Sequence, residues 1–177
     1  MPSALTTSFQ GRGWVGRSER LPSDSTLDLI SDKPNRWNAE GEPTIYVSGD
    51  PGLALIECGR HPDDLEETMR LFEVNLRIAR AVDLRDGAVR AALSLPTGLS
   101  WILRRDRTQG ISRSLRRSGR CDALIVPSAG ALDGRDRCNI VVFADDRARV
   151  AELVTDLRPV GELRFEPSAP DLDAVRA

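Results

Sequence analysis

From Met69 to Leu84 apolar and polar residues alternate well enough for a strand, most regularly at Phe72, Val74, Leu76 and Ile78. That two-residue alternation predicts one long β-strand. Two shorter runs, Ala123-Leu124-Ile125-Val126 and Asn139-Ile140-Val141-Val142-Phe143, are almost wholly apolar and rich in branched side chains, which predicts buried strands joined by a Gly- and Asp-rich loop. Thr44-Ile45-Tyr46-Val47-Ser48 reads as a further short strand. It runs into Gly49-Asp50-Pro51, where Ser48 or Asp50 can cap a helix and Pro51 suits the first turn. Leu53, Ala54, Leu55 and Ile56 make that helix apolar on more than one side, so it is expected to be buried and to end at Gly59 and Pro62. Other helices are expected at 87–93, at 108–118 and at 146–157. In the 108–118 helix Ile111 and Leu115 face inward, Arg113, Arg116 and Arg117 face outward, and Gly119 stops the chain. Val160 to Phe165 reads as a last edge strand, and the tail from Pro167 as loose. Residues 1–35 read as mostly irregular, with one short strand around Trp14. Strand runs with short helices between them imply an α+β domain.

The length, 177 residues, fits one domain that buries roughly 70% of its unfolded surface, so no cross-links are required. A formal charge of −2 creates no long-range field favouring nucleic acid or an anionic membrane. Cys58, Cys121 and Cys138 are odd in number and widely spaced, and they match no metal motif and no disulfide framework. Reduced thiols in a cytoplasm account for them most simply. No stretch approaches the ~20 apolar residues of a membrane span, and Met1 to Gln10 does not read as a signal peptide. The expectation is a soluble, cytoplasmic protein that binds neither nucleic acid nor membrane and holds no metal.

Three segments offer chemistry. Gly11-Arg12-Gly13-Trp14-Val15-Gly16 has the spacing of a dinucleotide-binding glycine loop. That loop requires a hydrophobic strand before it and a helix after it, because the helix N-terminus holds the pyrophosphate. Thr6-Thr7-Ser8 and Arg17-Ser18-Glu19-Arg20-Leu21-Pro22 supply neither. Arg113, Arg116, Arg117 and Arg120 form a basic stripe, but no aromatic residues interleave to stack bases, which favours a solvated helix face. The third segment, Asn35 to His61, contains the only tyrosine, Tyr46, and the only histidine, His61. In it Glu57 lies within an otherwise apolar helix, where a buried carboxylate costs several kcal/mol unless paired. It either serves chemistry or faces solvent on the one polar side of the helix; taken alone, the two readings weigh equally.

Arg36-Trp37-Asn38, then Gly41-Glu42-Pro43-Thr44-Ile45-Tyr46, then Ala54-Leu55-Ile56-Glu57 with His61 four residues on, resemble the RES family, named for an Arg, a Glu and a Ser. Leu124-Ile125-Val126-Pro127-Ser128-Ala129 is similar to that family's strand ending in Pro-Ser, and Asn139 opens the next strand as in the family. The resemblance runs from about Trp14 to Asp145. It implies a single ADP-ribosyltransferase-like domain over 14–166, with an N-terminal arm at 1–13 and a flexible tail at 167–177. It also implies NAD as substrate, cleaved between nicotinamide and ribose by an NAD glycohydrolase or phosphorylase. Such an enzyme would be the toxin of a bacterial toxin–antitoxin pair, with a cognate antitoxin as partner and possible homo-oligomers. The alternatives are a transferase that attaches ADP-ribose to a protein and an inactive binding module. In this reading Glu57 stabilises the cationic ribose and Arg36 holds the pyrophosphate together with Arg17, with which Arg12 and Arg20 compete. Tyr46 stacks the nicotinamide, and Trp37 is a further NAD-binding residue. Ser128 binds substrate or orients Glu57, Asn139 supports it, and His61 braces the helix.

Overall fold

The computed structural model describes residues 5–58, 68–129 and 137–164. The elements follow in the order β1 (Thr7–Ser18), β2 (Thr44–Ser48), α1 (Pro51–Cys58), β3 (Thr68–Asp83), α2 (Gly87–Ala92), α3 (Arg105–Arg117), β4 (Ala123–Pro127), β5 (Cys138–Phe143), α4 (Arg147–Leu153) and β6 (Val154–Arg164). Single 3₁₀ turns form at Thr26–Leu29 and Ser100–Leu103.

The long alternating strand organises everything else. At its 16 residues, β3 spans about 50 Å, enough to hold several partners. One edge pairs antiparallel with β1, from Thr7↔Ala81 to Ser18↔Met69. The other edge takes β6 antiparallel over Thr68–Leu76 and then β4 in parallel over Ala81–Asp83. β4 pairs with β5 and β5 with β2, both antiparallel. β2 closes on β1 at Trp14↔Ser48, so five strands form a closed barrel with β6 laid alongside β3. The domain is single and α+β, as the strand and helix runs imply.

Alternation sorts the side chains. Val15, Ile45, Val47, Val74, Leu76, Ile78, Ile125, Ile140 and Val142 fill one core, joined by Val150 and Leu153 of α4. The opposite faces of β4 and β5 (Leu124, Val126, Val141 and Phe143) pack with Trp37, Trp101, Ile102 and Leu115 in a second core. β4 and β5 are therefore covered on both faces, which is why their sequences run apolar without a break. Gly13 sits where the barrel closes: a Cβ there would lie 2.2 Å from Val47 Cγ1, so no side chain fits.

Three expectations change. β1 has 12 residues and begins at Thr7, inside the segment read as an arm and as irregular. Its Gly, Arg and Gln content hides it, and the hydrogen-bonding edge of β3 imposes the extended form that local propensity does not. It also places the Gly11–Gly16 motif within a strand, with no helix behind it. The helix expected at 146–157 stops at Leu153. Val154 is already extended (φ −126°, ψ 112°) and pairs with Leu76. Finally, two arginines expected on a solvated face of α3 turn toward the domain. Arg116 Nη1 donates to Pro43 O and Asp145, its Nη2 donates to Thr44 Oγ1, and its guanidinium lies 4.5 Å from the Phe143 ring centre. Arg113 donates to Glu42 Oε1 at 2.8 Å. Arg117 and Arg120 are exposed. Among the described residues no helix is long and apolar enough to cross a membrane, and no group of His, Cys, Asp and Glu could hold a metal ion.

Candidate active site

The register Trp14↔Ser48, Ser48↔Asn139, Asn139↔Val126 lines up four residues across β1, β2, β5 and β4. Directly paired residues share a face, so this row stands on the outer side of the barrel. Helix α1 is fixed above it. The Gly49 N–H donates to Cys138 O at 2.8 Å, an approach so close that a Cβ on Gly49 would lie 2.9 Å from Cys138 Sγ. Asp50 Oδ1 then accepts from Leu53 N at 2.8 Å and caps the first turn. Two turns later Glu57 comes down beside the row. Its Oε1 accepts from Ser128 Oγ at 2.8 Å and from Asn139 Nδ2 at 3.2 Å. Ser128, just past the end of β4, and Asn139 of β5 thus meet on one carboxylate oxygen of α1. Ser128 is 1% exposed, while Glu57 and Asn139 are half-buried and line a cavity of about 420 Å³.

The loop carrying Asn35, Arg36 and Trp37 lines the same cavity, and its shape is built largely from buried hydrogen bonds. Asn38, fully buried, donates through Nδ2 to the carbonyls of Lys33, Ala39 and Glu42. Tyr46 donates to Asn38 Oδ1 at 2.8 Å and accepts from Trp37 N at 2.9 Å. Burial pushes the Tyr46 phenol far above its ordinary value, with the Trp37 hydrogen bond and nearby arginines opposing, so it stays neutral. From outside, α3 grips the same loop: Thr108 Oγ1 donates to Arg36 O, and Gln109 Nε2 to Asn35 O and Asn38 O. Arg105 adds bonds to Asn35 O and Pro34 O. The Arg36 side chain, half-buried, lines the cavity with Nη1 donating to Ile102 O at 2.7 Å.

Of the residues singled out in the sequence, Arg36, Trp37, Tyr46, Glu57 and Asn139 all line this cavity, and Ser128 is bonded to Glu57 behind it, between the lining residues Pro127 and Ala129. Trp37 is 2% exposed and meets Trp101 edge to face, with centroids 6.1 Å apart, so it belongs chiefly to the core. Arg17 is not among the lining residues. Its Nε donates to Pro22 O, and burial lowers its guanidinium from the ordinary value while Asp28 raises it. Arg12 is paired with Glu73. His61 lies outside the described residues. The sequence reading missed Trp14, Ser48 and Met69 in the lining, and Asn38, Thr108 and Gln109 as supports of the loop. The Gln109 bonds bridge more than 70 residues, a separation at which sequence periodicity carries no signal.

The fold and site together define a small single-domain α+β barrel in which one held carboxylate and one arginine line a common cavity. The RES domain family profile matches residues 23–166, and the chain belongs to the RES-domain family. Among solved structures it is similar to the crystal structure of the M. tuberculosis MbcT–MbcA toxin–antitoxin complex. The TM-score is 0.65 and the identity 16%, over 89% of this chain and 85% of that one. No curated protein sequence is significantly similar to this chain.

Proposed function

We propose that this chain is an NAD-degrading enzyme that cleaves the bond between nicotinamide and ribose. The observation that carries the reading is the Glu57 carboxylate, fixed on one oxygen by Ser128 and Asn139 in a cavity that Arg36 also lines. Breaking that bond sends its electron pair to the pyridinium nitrogen, so nicotinamide leaves neutral and needs no strong general acid. The ribose C1′ becomes oxocarbenium-like, as in glycoside hydrolysis. A carboxylate held in place before the reaction stabilises that charge without reorganising. Water or phosphate then adds at C1′; with water, a proton is released and ADP-ribose is the product. Arg36 suits one phosphate of the pyrophosphate through its planar fork. Arg17 is a less favoured second holder, because it is not among the lining residues and its Nε donates to Pro22 O. Tyr46 and Trp37 form the wall beside the ring.

Membership of the RES family and the overall likeness to MbcT support the further reading of a bacterial toxin with a cognate antitoxin, acting in the cytoplasm on a fold of the ADP-ribosyltransferase kind. The test is direct: purified protein incubated with NAD, in buffers with and without phosphate, is expected to release free nicotinamide. Folded protein that releases none in either buffer refutes the enzyme reading.

A further inference from the structure

Of the three tryptophans, Trp37 and Trp101 are 2% and 3% exposed and packed on each other. Trp14 is different. It is half-buried, lines the cavity, and stands outside the segment matched by the family profile. Its place is fixed by register: Trp14 pairs with Ser48, which pairs with Asn139, which bonds Glu57. Two strand spacings put the Trp14 and Asn139 Cα atoms about 10 Å apart on one sheet face. Trp14 and Asn139 stand on that one face, and both line the cavity together with Glu57. The other aromatic residues of the cavity are less free to receive a ring. Trp37 belongs to the core, and Tyr46 is tied at its hydroxyl to Trp37 and Asn38.

We propose that Trp14 is the platform for the departing ring, its indole face taking a planar, positively charged heteroaromatic group beside Glu57. Indole is the best of the aromatic faces for a cation, and a pyridinium offers both charge and a flat surface to stack. The subsite therefore favours the oxidised pyridinium, and its hold weakens as the ring becomes neutral on leaving. This rests on the NAD reading above, and the experiment separates the two.

Binding is followed by tryptophan fluorescence in the E57Q protein, to slow turnover, and by steady-state kinetics in the Glu57 parent. NAD and nicotinamide mononucleotide are expected to quench the emission, and ADP-ribose, which lacks the pyridinium, is not. W14F should abolish the quench. W14L should raise the KM for NAD about tenfold, with W14F between it and the parent. Circular dichroism melts confirm that both variants are folded. Quenching by ADP-ribose equal to that by NAD, no quench in a protein whose parent releases nicotinamide, or an unchanged KM in folded W14L each overturns the platform role alone. A parent that releases no nicotinamide overturns the NAD reading instead.

Discussion

Replacing Tyr46 by Phe keeps the ring against the cavity and removes only the hydroxyl. If the ring alone mattered, the variant would be nearly silent. The hydroxyl, however, is bonded on both sides to groups that water does not reach: the Trp37 N–H at 2.9 Å and Asn38 Oδ1 at 2.8 Å, in residues 2% and 0% exposed. Removing it orphans one buried donor and one buried acceptor, each costing about 1–3 kcal/mol. Relief from burying the hydroxyl itself offsets part of this, leaving about 2–4 kcal/mol. For a chain of this size that lowers Tm by roughly 5–15 °C. Because the two orphaned groups directly follow Arg36 in the chain, the loop should loosen where it lines the cavity, raising KM for NAD more than it lowers kcat. Thermal melts by circular dichroism read the first effect and nicotinamide release the second. A Tyr46→Phe protein that melts within about 1 °C of the parent, less than 0.5 kcal/mol at this size, would show that the hydroxyl does not brace the loop.

Glu57→Gln keeps an oxygen able to accept from Ser128 and Asn139, so Tm is expected to stay within about 3 °C, near 1 kcal/mol. Nicotinamide release should fall at least ~100-fold, roughly 3 kcal/mol of barrier; a folded variant with parental turnover excludes Glu57 from the chemistry. Arg36→Lys retains charge but loses the planar fork, so KM for NAD should rise while Tm changes little, and equal KM and kcat would remove Arg36 from phosphate binding. Burial raises the Asp122 carboxyl pKa, but hydrogen bonds and charge from Arg80 and Arg149 outweigh it and hold it below the ordinary value. With the folded value below the unfolded one of about 3.9, the stability it contributes is present above that pH and is lost as pH falls below it. Acid melts of Asp122→Asn should accordingly show a shallower drop in Tm below about pH 4 than the parent, and parallel curves would contradict the assignment.

Much of the fold can be read directly from the chain, because burial leaves a period in the sequence. The two-residue alternation of β3 predicted a strand within one residue at each end of Thr68–Asp83, and the unbroken apolar runs of β4 and β5 follow from cover on both faces. Helix α1 was signalled by its own Asp50-Pro51 start. Part of the cavity was also legible: Glu57 stands out as a carboxylate in an apolar helix, and the family resemblance pointed to Arg36, Trp37, Tyr46, Ser128 and Asn139, whereas Trp14, Ser48 and Met69 gave no such signal. What left no local trace depends on partners far along the chain. β1 is a strand because β3 offers it an edge, and the 154–157 segment is a strand because that same β3 continues beside it. Arg113 and Arg116 read as a solvated stripe because helical spacing cannot reveal that Glu42, Thr44 and Phe143 lie beneath them. Tyr46 shows the division within one residue. Its aromatic ring was a visible candidate for stacking, whereas the task of its hydroxyl exists only once Trp37 and Asn38 fold back over it. Hydrophobic periodicity records how much of a side chain is buried, and only the closed barrel determines which groups it is buried against.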